Sequence, residues 1–139
     1  MDMSNEKKHR VAVVGCGNVG VFAAQAILAS EDLELAGIVR RPESLCRRVP
    51  PEFRDIPVVA SIESLDQVDV ACLAVPTRQV PKCAKEILSL GINTVDSYDI
   101  HQDLIDVKKT LDRVARDAGS VAVIAAGWDP GTDSLIRVI

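Results

Sequence analysis

The sequence predicts an α/β fold: a doubly wound parallel sheet with helices on both faces. Short apolar runs alternate with stretches that have helical periodicity, and most of these runs lack the polar alternation of a half-exposed strand. Uninterrupted apolar strands are typical of a parallel sheet that is covered on both faces. The length of 139 residues fits a single domain with one sizeable core.

The first half of the chain supplies three predicted strands and one helix. Val11–Val14 is an apolar strand that ends at a glycine, and a helix is expected from about Asn18. Leu33–Val39 follows as the second strand and Pro57–Ala60 as a short third one. Residues 41–57 are rich in proline, which fixes φ and lacks an N–H, so we expect little regular helix there.

The second half continues the alternation with three more strands. These are predicted at Val70–Val75, Asn93–Ser97 and Val121–Ala126, with two amphipathic helices between them that end at Gly91 and Gly119. Six strands in two halves match the doubly wound arrangement, in which ligands bind beyond the carboxyl ends of the strands.

Composition argues against several classes of protein. The net charge is −4 and aromatic residues make up 3% of the chain, which disfavours a nucleic-acid partner. Four cysteines without C-x-x-C spacing and only two histidines predict no metal site. Because the sequence shows neither a signal-peptide pattern nor an apolar run near ~20 residues, we expect no membrane partner and a cytoplasmic protein with free thiols.

A glycine-rich loop, Gly15-Cys-Gly-Asn-Val-Gly20, joins the first strand to the first helix. In a G-x-G-x-x-G loop the first glycine allows a tight turn, the second lets the backbone approach a pyrophosphate, and the third allows close helix–strand packing. The helix N-terminus then binds the anion. The alternative is a glycine-rich turn without a ligand. The predicted cofactor contacts in this loop are Gly15, Gly17, Asn18, Val19 and Gly20.

Two arginines follow the second strand, at the position where NAD-specific folds carry a carboxylate. They are Arg40 and Arg41, and the first carboxylate comes only at Glu43. Guanidinium groups suit a 2′-phosphate, so the sequence favours NADP over NAD. The alternative is an ordinary solvated patch shared with Arg47 and Arg48.

The segment after the fourth strand is expected to border the same ligand. Ala74, Val75, Pro76 and Thr77 should lie where the nicotinamide half crosses the sheet edge, with backbone contacts to the cofactor. An equal alternative is a simple strand–helix turn that is capped by Thr77.

Acidic residues follow the fifth and sixth strands and should reach the same edge. Asp96 and Asp99 come after the fifth strand, and Trp128 and Asp129 after the sixth. Carboxylates beside a nicotinamide suit a substrate with an amino group, because they hold an ammonium and accept a proton as the amine is oxidised. Trp128 offers a flat apolar wall. Turn and cap chemistry is the alternative for the aspartates, and Asp103 is predicted to be a helix cap.

Other reactive side chains are assigned structural roles. His101 is predicted to be structural or exposed, because it is a single histidine in a loop. Cys16 lies in the glycine-rich loop without a base or a second cysteine nearby in sequence, so it is predicted to be inert. Cys72 and Cys83 are expected in the core.

Together these segments resemble the N-terminal domain of the meso-diaminopimelate dehydrogenases, a family of NADP-dependent enzymes of bacterial lysine biosynthesis. The resemblance covers about residues 10–139 and implies a Rossmann-type domain with NADP as its cofactor. Four segments carry the resemblance: Gly15-Cys-Gly-Asn-Val-Gly20, Arg40-Arg41, Val95-Asp-Ser-Tyr-Asp-Ile-His101 and Gly127-Trp-Asp-Pro-Gly131. The last two of these are the most specific.

The resemblance also implies an activity. This is oxidative deamination at the D-centre of meso-2,6-diaminopimelate, which gives L-2-amino-6-oxopimelate and ammonia. It implies a homodimer, and a reacting amino-acid end that is positioned by Asp96, Asp99, Trp128 and Asp129.

Residues 1–139 are then expected to be an NADP-binding domain that is cut at the start of a C-terminal substrate and dimerisation domain. The apolar run Ser134–Ile139 supports this interpretation, and a short helix docked on the sheet is the alternative. We expect the chain alone to bind cofactor and to turn over substrate poorly.

Two other functions stay open from the sequence. A non-catalytic nucleotide-sensing module fits the length, but such modules carry an acidic residue where Arg40 stands. Another two-domain NADP reductase, such as dihydrodipicolinate reductase or a homoserine-dehydrogenase-like enzyme, would share the first half of the chain but not the two aspartate-bearing segments.

Overall fold

The computed structural model describes residues 7–136 of the chain. These residues form six strands and four α-helices. The strands are β1 (His9–Val14), β2 (Leu33–Val39), β3 (Val58–Val59), β4 (Val70–Leu73), β5 (Asn93–Asp96) and β6 (Ala122–Val123). The helices are α1 (Asn18–Leu28), α2 (Val80–Ser89), α3 (Leu104–Ala118) and α4 (Thr132–Ile136).

The strands form one sheet in the order β3-β2-β1-β4-β5-β6, and every neighbouring pair is parallel. The order reverses between β1 and β4, so the two halves of the chain extend to opposite sides of the sheet's centre. This topology confirms the predicted doubly wound sheet, and it makes the carboxyl end of β1 the switch point at which ligands bind.

The two faces of the sheet are covered by different helices. Ala12 packs in one buried cluster with Leu88 of α2 and Leu111 of α3. Its neighbour Val13 packs in a second cluster with Ile27 of α1. Since successive residues of a strand point to opposite faces, α1 lies on one face, and α2 and α3 lie on the other.

The proline-rich crossover between β2 and β3 has little regular structure, as predicted. It contains only the short 3₁₀ turns Pro42–Ser44 and Pro51–Phe53. Phe53 is fully buried in the cluster on the α1 face. This aromatic side chain anchors the crossover to the sheet, and the periodicity of the sequence did not assign it that role.

The chain leaves the sheet earlier than the apolar run Val121–Ala126 predicts. Strand β6 has only two residues, and Ala125 has a φ of +54°, which ends the extended backbone. Helix α4 begins at Thr132, two positions before the predicted Ser134, and residues 137–139 lie outside the described part of the chain. Its side chains Leu135 and Ile136 are exposed rather than docked on the sheet.

The prediction that Asp103 caps α3 is wrong. Asp103 stands directly before the helix, but its side chain makes no capping hydrogen bond. The 3₁₀ turn His101–Asp103 runs straight into α3 and leaves Asp103 at φ −96° and ψ −8°, whereas a capping residue is extended. Within residues 7–136, no helix combines the length and the apolar character that crossing a membrane needs.

Candidate functional site

A cleft of about 1140 Å³ opens at the switch point of the sheet. Its lining includes Gly15–Val19 after β1, Arg40 and Arg41 after β2, and Ala74–Pro76 after β4. The structure therefore brings together three of the segments that the sequence assigned to cofactor binding, in the place where doubly wound sheets hold their ligands.

The three loop glycines are required for different reasons. Gly15 has a φ of +100°, and a Cβ there would collide with the carbonyl oxygen of Ala74. A Cβ on the buried Gly20 would collide with the carbonyl oxygen of Gly15. Gly17 is exposed and has no neighbouring atom within 4 Å of a built Cβ. The fold therefore needs glycine at positions 15 and 20, whereas no contact with residues 7–136 requires it at position 17.

The open space at Gly17 lies at the N-terminus of α1. No side chain of the described residues makes a capping hydrogen bond there, and the first turn carries no acidic residue. The first N–H groups of a helix have no intrahelical partner and attract anions. Asn18 and Val19 line the cleft, so this end of the helix fits the pyrophosphate of a dinucleotide. Contacts within the fold account for Gly15 and Gly20, whereas Gly17 is the N-cap of α1, a position that favours glycine and here leaves the helix amides open to a phosphate.

The two arginines after β2 also face the cleft, but they are held differently. The backbone N–H of Arg40 donates to Val59 O at 2.9 Å, and its Nη1 donates to Arg47 O at 2.8 Å. Arg41 is exposed and forms a surface ion pair with Glu43 at 3.4 Å. Arg40 is thus the better fixed of the two cations.

The segment after β4 has two parts. Ala74, Val75 and Pro76 line the cleft, and the Ala74 N–H donates to Val14 O at 2.8 Å. Thr77 does not cap a simple turn, because the 3₁₀ turn that it starts has Pro76 at its N-cap. Instead its Oγ1 accepts a hydrogen bond from the Asp99 N–H at 3.3 Å.

The acidic segments after β5 and β6 come together at the neighbouring part of the same edge. The Ala126 N–H donates to Asp96 O at 2.7 Å. Asp99 and Asp129 are exposed, and Trp128 is 68% exposed. The carboxylate of Asp96 is different: the residue is only 4% exposed, so the structure places it beneath the edge rather than at its surface.

The cofactor cleft reaches this acidic edge at Ser97. A Cβ on Gly127 would lie 2.9 Å from Ser97 Cβ, so the two segments pack closely there. Asp99, Trp128 and Asp129 are not among the residues that line the cleft. They form an exposed surface beside the Ser97 end of the cleft.

His101 was predicted to be structural or exposed, and it is exposed. The structure adds that its Nε2 lies 4.0 Å from Asp129 Oδ1. A histidine and a carboxylate at this separation can share a proton through a small movement or one water. The signal in the sequence was the position of His101 two residues after Asp99, on the same edge of the sheet.

Tyr98 is a core residue that the sequence analysis did not assign. It is 3% exposed and belongs to the cluster on the α2 and α3 face. Burial, and then the carboxylates of Asp103 and Asp99, raise the pKa of Tyr98. The phenol is therefore neutral at physiological pH, and it anchors the turn that carries Asp99.

Cys72 and Cys83 pack against the core, as predicted, and Cys83 and Cys16 also border the cleft. Burial raises the pKa of the Cys72 thiol. Burial and the carboxylate of Glu86 raise the pKa of Cys83 to about 11. Both side chains pack against the hydrophobic core, and the partly buried Cys16 packs against the cluster on the α1 face.

Comparison with known proteins agrees with this geometry. Residues 9–124 match the GFO/IDH/MocA family, which is described as an oxidoreductase family with an NAD-binding Rossmann fold. The chain belongs to this family. Its sheet is accordingly a Rossmann fold, and its cleft is of the NAD(P)-binding class.

Individual relatives within this family are more informative than the family model. The chain is 49% identical over 133 residues to a meso-diaminopimelate D-dehydrogenase of Bacteroides fragilis, and it covers 44% of that protein. It is 34% identical to the Corynebacterium glutamicum enzyme of the same name and covers 39% of it. The chain therefore spans less than half the length of the curated relatives that it matches.

Solved structures give the same picture. The C. glutamicum diaminopimelate dehydrogenase in complex with diaminopimelate aligns over 94% of this chain and 40% of its own, with a TM-score of 0.77 and 32% identity. An engineered D-amino acid dehydrogenase bound to NADP+ aligns over 95% of this chain and 40% of its own, also with a TM-score of 0.77 and 32% identity.

Proposed function

We propose that this chain is the cofactor-binding part of an NADP-dependent dehydrogenase that deaminates meso-2,6-diaminopimelate at its D-centre. The observation that carries the cofactor role is Gly17. Its missing side chain serves no contact within the described protein, and it leaves the N-terminus of α1 open to a phosphate group. The likeness to diaminopimelate dehydrogenases supports the reaction.

NADP rather than NAD is proposed from the arginines after β2. Arg40 lines the cleft and is held by Arg47 O, so its guanidinium is already ordered for a 2′-phosphate. The cleft lining contains two carboxylates, and neither stands at the end of β2. Glu63 follows β3, and Glu86 lies in α2. An NAD-specific fold would use a carboxylate at the end of β2 to bind the ribose hydroxyls.

The acidic edge would hold the amino-acid end of the substrate. The cofactor supplies a hydride acceptor when it is bound. Asp99 and Asp129 would bind the substrate ammonium, and one of them, or His101 beside Asp129, would accept the proton that the amine loses before the imine is hydrolysed. Trp128 would cover one side of the amino acid.

The same proposal includes a larger protein. Relatives are more than twice as long as this chain, and Asp99, Trp128 and Asp129 stand uncovered at the edge. A C-terminal domain would bind the distal end of the substrate, exclude water and form the homodimer, in a cytoplasmic enzyme of lysine biosynthesis. Closure of this kind accounts for much of the rate in two-domain enzymes.

A stereochemical assay tests the reaction. A full-length protein that contains this chain is incubated with NADP+ and with meso-, D,D- or L,L-diaminopimelate. NADPH formation is followed by absorbance. Meso-diaminopimelate should be oxidised and the L,L isomer should not. Activity on the L,L isomer alone, or none on the meso isomer, would refute the proposed substrate. The 139-residue chain should turn over at least ~100-fold more slowly, since proximity contributes several kcal/mol of the barrier.

A further inference from the structure

Asp96 carries the one buried charged side chain among the described residues. It ends β5, where the sheet pairing with β6 also ends: Val95 pairs with Val123, and no further pair follows. A charged group is normally buried only where hydrogen bonds compensate its desolvation. The contacts of Asp96 therefore indicate what it is for.

Beyond the last β5–β6 pair, hydrogen bonds to Asp96 hold the two segments together. Its Oδ1 accepts a hydrogen bond from the Tyr98 N–H at 2.9 Å and another from the Ala125 N–H at 3.1 Å. Its backbone oxygen accepts from the Ala126 N–H at 2.7 Å. One residue thus ties the turn after β5 to the loop after β6.

The loop after β6 needs this support. Ala125 has a φ of +54°, a conformation that is unfavourable for a residue with a Cβ and persists only where the surroundings hold it. Two residues later, Gly127 packs on Ser97, and Trp128 and Asp129 follow directly. The position of the exposed edge therefore depends on a bond made below it.

The other carboxylate oxygen, Oδ2, is buried and has no hydrogen-bond partner among the described residues. It makes no bond to either segment, whereas Oδ1 makes both of the side chain's bonds. An amide oxygen at the Oδ1 position could accept the same two hydrogen bonds, because accepting them needs an oxygen and not a charge. Asparagine should therefore keep both hydrogen bonds, at some cost in global stability, because its NH2 group takes the buried Oδ2 position without a partner.

We infer that Asp96 is a positioning residue, which sets Asp99 against Trp128 and Asp129 through the amides of Tyr98 and Ala125. It does not itself touch the substrate. This inference departs from the expectation that Asp96, Asp99 and Asp129 all face the amino acid. It rests on the proposed function only for the identity of the substrate that the acidic edge binds. The bonds themselves can be tested without any ligand.

The experiment compares D96N and D96A in the 139-residue chain labelled with 5-fluorotryptophan at Trp128. Amide exchange at Tyr98 and Ala125 is measured by NMR, together with the single fluorine resonance. D96A should lose at least ~100-fold of protection at both amides, about 2.7 kcal/mol of local opening free energy, and should shift or broaden the fluorine signal. D96N should keep the fluorine signal close to that of the wild type and should lose no more protection at these two amides than at the other slowly exchanging amides.

A matched control separates this role from general stability. Asp69 also uses its carboxylate to accept a backbone N–H, that of Arg10 at 2.8 Å, but at the amino end of the strands. D69A should lower the melting temperature without moving the fluorine signal. If D96A does not fold, D96N alone decides: a loss of protection at Tyr98 and Ala125 that exceeds the loss at its other slowly exchanging amides overturns the inference.

Cofactor binding distinguishes this inference from the proposed function. Asp96 does not line the cleft, so D96N should bind NADPH within ~3-fold of the wild-type affinity. A wild-type chain that does not bind NADPH would refute the proposed cofactor and leave the exchange result standing. Unchanged exchange in a folded D96A would refute the positioning role and leave the cofactor proposal standing.

Discussion

The carboxyl edge of the sheet has two regions that are built in opposite ways. Around β1 and β2, glycines, a helix N-terminus and an anchored arginine line a cleft that this chain forms by itself. Around β5 and β6, exposed groups such as Asp99 and Trp128 rest on a buried carboxylate and are covered by nothing among the described residues. In the proposed function the first region is a complete binding site, and the second is one wall of a site.

The proposed function gives a physical reason for this difference. A dinucleotide offers phosphates, which backbone amides and arginines on adjacent strand ends can bind locally. A small amino acid has to be enclosed and oriented before it reacts, which takes groups from more than one direction. Substitutions in the cofactor region should therefore change binding by this chain, whereas those at the acidic edge should not.

The largest effect should come from a glycine that the fold itself requires. G15A should lower the free energy of unfolding by about 3 kcal/mol, because φ is +100° and the new methyl group meets the Ala74 carbonyl. Urea unfolding measures this change. G17A is the control and should cost only about 1 kcal/mol, because Gly17 is the N-cap of α1, where alanine is less favourable than glycine, and no new clash arises. Equal destabilisation by the two variants would remove the distinction between fold and ligand glycines.

The next effect should fall on cofactor selectivity. R40M should raise the NADPH Kd by ~10–100-fold, because charge-assisted hydrogen bonds contribute about 1.5–3 kcal/mol, and should leave the NADH Kd within ~3-fold. Calorimetric titration measures both. R48M is the matched control, because Arg48 lies in the same crossover but does not line the cleft. An R40M chain that loses NADH binding equally would show that Arg40 does not read the 2′-phosphate.

A smaller effect is expected at Gly17. G17A should weaken NADPH and NADH alike by about 10-fold, or ~1.4 kcal/mol, because the new methyl group occupies the space through which a pyrophosphate reaches the helix amides. The same titrations test it. If G17A binds both cofactors as the wild type does, the open space at this glycine has no role in binding.

The smallest effect should be seen at the acidic edge. D129N and D99N should leave the NADPH Kd within ~2-fold, since neither side chain lines the cleft. The same D129N change in a full-length enzyme should lower kcat/KM for meso-diaminopimelate by at least ~10-fold, through loss of a charge-assisted bond to the ammonium. A tenfold higher NADPH Kd for D129N would contradict this separation and show that the two regions bind NADPH as one site.

Local chemistry allowed much of this to be predicted from the sequence. Apolar runs predicted where the strands lie. Gly91 and Gly119 predicted the ends of α2 and α3, and both glycines follow these helices in the structure. The glycine loop and Arg40 were found because their spacing from a strand end fixes their position in a doubly wound sheet.

Depth and long-range pairing could not be predicted in the same way. The sequence showed that Asp96 ends a strand, but its burial depends on where β6 separates from β5, which the apolar run Val121–Ala126 does not reveal. The approach of His101 to Asp129 joins two loops 28 residues apart in the chain. Asp103 was assigned as a cap from residue type alone, and the 3₁₀ turn before it changed its backbone geometry.

The most direct test is a parallel titration of this chain with NADPH and NADH at one ionic strength, because salt screens phosphate contacts. Calorimetry gives both dissociation constants, and Trp128 fluorescence reports whether the nicotinamide end reaches the acidic edge. We predict that NADPH binds at least ~10-fold more tightly, a difference of about 1.4 kcal/mol. Equal affinities, or a preference for NADH, would contradict the assignment of Arg40 and Arg41 to a 2′-phosphate.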